Sequence, residues 1–290
     1  MTTININKLL NRVDAIPSNF HIAIKVAKML DNLNVNIAEL SRIIGADQSF
    51  TVQLLKLCNS AQFGFSRKIV TVNDAITRLG FKTLKSLVFV VVSKGSFNKP
   101  IDGYDLAKGE LWRNSIACAV YSKYLAEISG YKDPELAFTA GLLRDIGKLI
   151  IHEYVKEEYN NIVNLVNSEN TGFSEAEEKI LGYNHSQVGA KIAAKWNFPK
   201  VLEETIEFHH NPNSAQNSCL DKHLINIIHV ADSIAMMLGI GLGNDGMMHS
   251  LNLSSLENIG IDLNSVGIES LISDMVDLST EIDLLMANMN

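Results

Sequence analysis

The sequence predicts an all-α fold, and three observations carry that prediction. Apolar residues recur three and four positions apart along almost the whole chain. No segment alternates apolar and polar residues as a half-buried strand does. Residues that start and stop helices stand at the edges of the periodic segments. Helices are expected over 18–31, 36–45, 48–59, 71–79, 81–94, 103–129, 134–153, 155–168, 173–181, 185–196, 199–210, 221–239 and 265–287. Asn36, with Glu39 three residues on, is placed to cap the second of these. Asp133 caps another, with Pro134 at its first position, and Pro199 opens a third. Gly80 and Gly130 sit where helices end, where a left-handed residue closes the last turn.

The best internal boundary is Phe97-Asn98-Lys99-Pro100-Ile101-Asp102-Gly103, in which turn formers flank a proline. It divides the chain into an N-terminal helical subdomain, 1–98, and a second helical domain, 99–290, that ends in a helical extension. The polar stretch 211–218 is expected to be a surface loop. In the last helix Ile268, Leu271, Met275, Leu278, Ile282 and Leu285 form an apolar seam under three heptads long. Packing onto the body is its expected use and self-association the alternative. The oligomeric state is left open.

Bulk properties exclude several classes. The 290 residues are 47% hydrophobic and 20% charged, ordinary for a globular chain able to bury a sizeable core. The longest apolar run, Leu87 to Val92, is far too short to span a membrane, and the N-terminus lacks a secretory signal. Cys58, Cys118 and Cys219 are few and widely spaced, which fits a reducing compartment; the cytoplasm is the expectation. A net charge of −7 argues against a general nucleic-acid binder. The charge is unevenly placed: residues 51–99 carry eight basic side chains against Asp74 alone, whereas residues 251–290 carry seven acidic ones and no basic one. Arg78, Lys82 and Lys85 share a helix face. They are either a solvated face that helps oppositely charged halves pack, or a docking surface for an anionic partner.

Two blocks of sequence resemble the HDOD family and together span roughly 13–235. The first runs from Ile16-Pro17 to Asp47, then through Asn59-Ser60-Ala61-Gln62-Phe63-Gly64, and ends at Ala75-Ile76-Thr77-Arg78-Leu79-Gly80. Asn59 and Ser60 can close one helix by side-chain bonding, and Gly64 permits a tight exit. The chain departs from the family at Ala46-Asp47-Gln48, where a proline usually follows the aspartate. The second block resembles the HD phosphohydrolase superfamily as the HDOD branch carries it. It comprises Leu111-Trp112-Arg113-Asn114-Ser115, the segment Ala140 to Leu149 around Arg144-Asp145, His185, Trp196-Asn197-Phe198-Pro199, His209-His210, and Asp232 in Val230-Ala231-Asp232-Ser233. The resemblance implies an HDOD region of about 13–212, with the second domain an HD-like helical bundle.

It also implies where a metal would be. In working superfamily members a His, a His-Asp pair and a distant Asp hold a divalent ion that activates water, and further histidines can hold a second ion. Here the first histidine's place is Asn114, and the pair has become Arg144-Asp145. An asparagine offers only a neutral carbonyl, and a guanidinium has no lone pair to donate. No metal and no cofactor are therefore expected at what remains: Asn114, Arg144, Asp145, His185, His209, His210 and Asp232. Arg144 is expected to stand in for the ion by pairing with Asp145, and with Asp232, in a bidentate manner.

Plainer roles compete for each residue. His209 and His210 project about 100° apart on a helix and either face the old site or favour the helix C-terminal dipole. His185 is a relic ligand or the first residue of a helix. Asp232, in an apolar helix, needs a buried partner. His21, His152, His223, His229 and His249 carry no motif, and Trp112 and Trp196 read as core. Gly241-Leu242-Gly243-Asn244-Asp245-Gly246 matches a dinucleotide fingerprint but follows a helix, not a strand. Ser115 and Ser186 have no base placed beside them. The expected function is a non-catalytic signalling module that binds partner proteins in bacterial signal transduction. The alternatives are a residual metal-dependent phosphohydrolase and a sensor of an anionic ligand.

Overall fold

The computed structural model describes residues 19–32, 34–215, 219–241, 243–246, 251–261 and 267–289. Residues Ile16-Pro17 of the first block, 216–218 of the polar loop, His249, and the expected helix starts at 18 and 265 lie outside them. Among the described residues the chain is helical throughout. Its β pairing is a single antiparallel bridge between Ile101 and Leu106.

The first four helices are α1 (Asn19–Leu30), α2 (Ile37–Gly45), α3 (Gln48–Cys58) and α4 (Val72–Phe97). Asn36 caps α2 by accepting from the Glu39 N–H at 3.1 Å, and Asp47 caps α3 in the same way. Asn59 then pins the exit of α3: its amide donates to Leu55 O and Ile69 O, and its oxygen accepts from Ile69 N. Gly64 takes a φ of 58°, as a tight exit requires, whereas Ser60 Oγ is buried without a hydrogen bond and closes nothing. The expected helices 71–79 and 81–94 abut in α4 with Gly80 as a kink, at φ 78° and ψ 170°. The run Leu87–Val92 is buried on every side, which makes this half of α4 a core helix.

Next come α5 (Glu110–Ile128), α6 (Pro134–Leu143), α7 (Lys148–Glu169), α8 (Phe173–Leu181), α9 (His185–Lys195), α10 (Lys200–Phe208) and α11 (Lys222–Met237). The expected helix 103–129 begins only at Glu110, because residues 101–106 form the bridge and a short 3₁₀ turn, and Gly109 takes a positive φ. The expected helix 134–153 is broken. After Leu143 the bonds Ile146 N to Leu143 O and Lys148 N to Asp145 O tighten the chain, and α7 starts on a new axis that absorbs the helix expected at 155–168. The C-terminal part holds α12 (Leu253–Asn258), which periodicity missed, α13 (Ile268–Asp277) and α14 (Ser279–Met289). The single helix expected at 265–287 is thus two. Leu271, Met275, Ile282 and Leu285 of its seam are buried against the body, with α14 on α5 and α3.

The helix α5 lies at the centre, packed on α6 and α11, while α1 to α3 gather on α4 and α4 leans on α6. Phe20 stacks on Trp196 at 4.9 Å, and the apolar core continues from Phe20 to Leu285. No described helix is long and apolar enough to cross a membrane. The closest approach is at the broken turn, where a Cβ on Gly147 would lie 1.9 Å from the His185 carbonyl oxygen. Backbone cannot yield as a flexible side chain does, so Gly147→Ala should destabilise the protein by about 1–3 kcal/mol or more. A lowered urea midpoint checks this; an unchanged midpoint contradicts it.

Candidate functional site

The broken turn between α6 and α7 delivers Arg144, Asp145 and Lys148 to one buried spot. On an unbroken helix Arg144 and Asp145 would project about 100° apart; here both are essentially inaccessible to solvent. Asn114 faces them from α5, His185 from the start of α9, His209 and His210 from the end of α10, and Asp232 from α11. Asn184 and Gln187 form a capping box that sets the start of α9. Of the converging side chains, Asn114, Arg144, Asp145, Lys148, His185, His209 and Asp232 are buried and His210 is partly exposed.

Arg144 points inward. Its Nε donates to Asp232 Oδ1 at 2.7 Å, Nη1 to Gly141 O at 3.1 Å, and Nη2 to Asn114 Oδ1, while Nη2 lies 3.1 Å from Asp145 Oδ2. The expected pairing with both aspartates is present, but not as a parallel fork: Nε and Nη2 converge on a single oxygen of Asp232. Asn114 is oriented from its other end, its Nδ2 donating to Ile240 O at 2.8 Å. Gly241 presses so close that a Cβ there would meet Asn114 Cβ at 2.6 Å. The guanidinium therefore occupies the ground between Asn114, Asp145 and Asp232, and an ion does not fit the residues present there. Burial alone would push the Asp145 carboxyl up, but Arg144 and then Lys148 outweigh it and hold it well below the usual carboxylate range.

A histidine cluster adjoins the guanidinium. His185 Nδ1 lies 2.7 Å from Glu177 Oε2, and its Nε2 lies 2.8 Å from His210 Nε2 and 3.3 Å from Asp145 Oδ1. Burial disfavours the charged ring, but Glu177 and Asp145 more than offset it and raise the His185 pKa to about 9. His209 is the opposite case, pushed down to about 3 chiefly by burial. Its Nδ1 lies 2.7 Å from Ile206 O, and a carbonyl can only accept, so Nδ1 carries the proton. His209 Nε2 then presents a lone pair toward Asp145 Oδ1, 3.8 Å away, and makes no hydrogen bond. Asp145, His185, His209 and His210 thus place four donor atoms within 4.8 Å of one another.

All seven residues expected together, Asn114, Arg144, Asp145, His185, His209, His210 and Asp232, are in this cluster. Three further members were not expected at the site: Lys148, which lies inside the segment Ala140 to Leu149 but was given no role, and Glu177 and Tyr104, which lie in no motif. Lys148 Nζ lies 3.0 Å from Asp145 Oδ1 and 5.4 Å from the Tyr104 ring, and Tyr104 OH donates to Glu177. Lys148 is one turn beyond Asp145, a spacing that could have flagged it; Glu177 and Tyr104 had no such signal. His229 is structural, bonding His209 O and the Asn252 N–H, and Trp112 and Trp196 are core. The basic face lies elsewhere. Arg78, Lys82 and Lys85 each pair with a carboxylate, Asp74, Asp133 and Asp31 respectively. Those partners are not in the acidic C-terminal segment, whose Asp274, Glu281 and Asp283 meet Tyr124, Gln62 and Arg113.

The HDOD domain model matches residues 16–212, and the chain belongs to the HDOD family. A protein of Shewanella amazonensis SB2B, provisionally named a phosphohydrolase, shares the fold at a TM-score of 0.72 and 26% identity, over 97% of this chain and 98% of that one. A protein of Marinobacter aquaeolei VT8, provisionally named for signal transduction, matches at 0.70 and 20%, over 94% of this chain and 59% of that one. An uncharacterised protein of Treponema pallidum (strain Nichols) is 24% identical over 204 residues, 69% of this chain but only 39% of its own length.

Removing Arg144 leaves two buried carboxylates without their shared cation. Arg144→Met should cost about 3–5 kcal/mol at pH 7 by urea unfolding. The folded Asp145 pKa is depressed, so its contribution in the native protein is complete above the unfolded value of about 3.9 and is lost as pH falls below it. In Arg144→Met the largest charge that lowers the Asp145 pKa is gone, and the burial that pushes this carboxyl up is opposed only by Lys148 and His185. The deficit should therefore shrink as pH falls from 7 toward 5, and a pH-independent deficit contradicts this.

Proposed function

We propose that the chain is a non-catalytic regulatory module of bacterial signal transduction that acts by binding partner proteins. The observation that carries this reading is the Arg144 guanidinium, in contact with Asn114, Asp145 and Asp232 together. A hydrolytic ion needs lone-pair ligands and an open position for water. A guanidinium supplies the positive charge that keeps Asp145 ionised and pairs with Asp232, but binds no water as a nucleophile and accepts no substrate oxygen as a Lewis acid. Membership of the HDOD family supports a signalling role, as does the name of the Marinobacter neighbour.

The name of the Shewanella neighbour favours a phosphohydrolase instead. The approach to the cluster speaks against it. A cleft of about 760 Å³ meets His185 and His210 and is lined by Glu169, Glu175, Glu178 and Glu207 against Lys179. A phosphoester arriving there meets its own sign of charge, which also disfavours sensing an anionic ligand at this cleft.

The test is a turnover panel of nitrophenyl phosphate, bis-nitrophenyl phosphate and cyclic dinucleotides with Mn²⁺ or Mg²⁺. The expected rate equals that of the metal-only blank. Turnover that disappears in Asp145→Asn makes the chain an enzyme and ends this reading.

A further inference from the structure

The cleft that repels a phosphoester is suited to a positive charge. Its volume of about 760 Å³ lies within the roughly 300–1,000 Å³ of ordinary ligand pockets. Three of its four carboxylates stand in the last turns of helices: Glu169 ends α7, Glu178 is in the last turn of α8, and Glu207 is in that of α10. A helix dipole is negative there, so each carboxylate is placed where it costs stability unless a cation meets it. Lys179 pairs with Glu169. Glu178 accepts from the side-chain amides of Asn184 and Gln187, which orient it without cancelling its charge. The positive start of α9 also borders the cleft, but Asn184 caps it, and His185 is matched by Glu177 and Asp145. Ser186 is the independent sign of a missing ligand: it lines the cleft, is 1% exposed, and its Oγ makes no hydrogen bond. Phe208, half-buried beside Glu207, adds an aromatic wall.

We propose that this cleft receives an arginine side chain from a basic segment of a partner protein. A guanidinium carries five N–H donors in a planar fork and serves several acceptors at once, here the Glu178 and Glu207 carboxylates and the Ser186 hydroxyl. Its flat face also stacks on an aromatic ring, which Phe208 offers. An ammonium has three donors and no flat face, so lysine fits the same walls less well. The assignment to a partner protein rests on the function proposed above; the preference for a guanidinium does not.

The full chain is titrated into fluorescein-labelled Gly-Arg-Gly-Arg-Gly-Arg-Gly and followed by anisotropy at about 0.15 M salt, where long-range attraction is screened. Saturable binding is expected, weaker for the matching lysine peptide and absent for the glutamate peptide. Glu207→Gln and Glu178→Gln should each weaken it by about two- to fivefold, the loss of one partly exposed ion pair. Ser186→Ala should weaken it by about tenfold, the loss of a hydrogen bond to a charged group, without lowering the melting temperature of the free protein. Glu269→Gln and Asp277→Asn, which remove exposed charge from the acidic C-terminal segment, should leave binding unchanged. Circular dichroism establishes that each variant is folded, and Glu207→Gln, at a partly exposed residue, keeps the test decisive if Glu178→Gln disturbs the start of α9. Absent binding, or binding weakened equally by the C-terminal variants, overturns the cleft while leaving the non-catalytic reading in place. Equal binding of the lysine peptide overturns the guanidinium assignment. Phosphoester turnover lost in Asp145→Asn, with peptide binding intact, overturns the non-catalytic reading and not the cleft.

Discussion

The buried contact of the Arg144 guanidinium with Asp232 and Asp145 is what the rest of the molecule is arranged around. Bringing an ion into the interior costs several kcal/mol even after relaxation, and this core holds several. Arg144, Lys148 and the protonated His185 supply three positive charges, and Asp145, Glu177 and Asp232 supply three negative ones. The sum is zero, and each member touches an opposite charge.

Holding those charges in register demands close backbone contact, and glycine supplies it. Added side-chain carbons at Gly147, Gly189, Gly141 and Gly241 would strike His185 O, Ile206, Ser122 with the Cys118 carbonyl, and Glu110 O with Asn114. Three of those contacts border the site: Gly147 sets α9 against the turn, Gly189 sets α10 against α9, and Gly241 lets the chain pass close to Asn114, whose Nδ2 bonds Ile240 O. The chain segments are thus drawn in until a charge can reach across, which side chains of ordinary size would prevent.

Much of this was legible in the sequence because it depends on local chemistry. The helical period, the caps at Asn36 and Asp133, and the Asn59 turn are properties of neighbouring residues, and all appear in the structure. The places of Asn114 and Arg144 at the site were legible through the family resemblance, and the pairing of Asp145 and Asp232 with Arg144 followed from charge. The break at residues 144–147 was not, because Arg144 and Gly147 keep nearly helical dihedrals and the apolar period runs straight across them. Glu177 and Tyr104 were invisible for another reason: a buried carboxylate chooses its partner in three dimensions, eight residues from His185 and 73 from Tyr104. The basic face of α4 was read correctly as charge, but its carboxylate partners, two of them from other segments, needed the fold.

Anomalous diffraction from crystals grown with Mn²⁺ examines the central claim most directly. The guanidinium should remain between Asn114, Asp145 and Asp232, with no anomalous peak in that space. A Mn²⁺ peak coordinated by Asp145 and Asp232, with Arg144 turned away, contradicts the account.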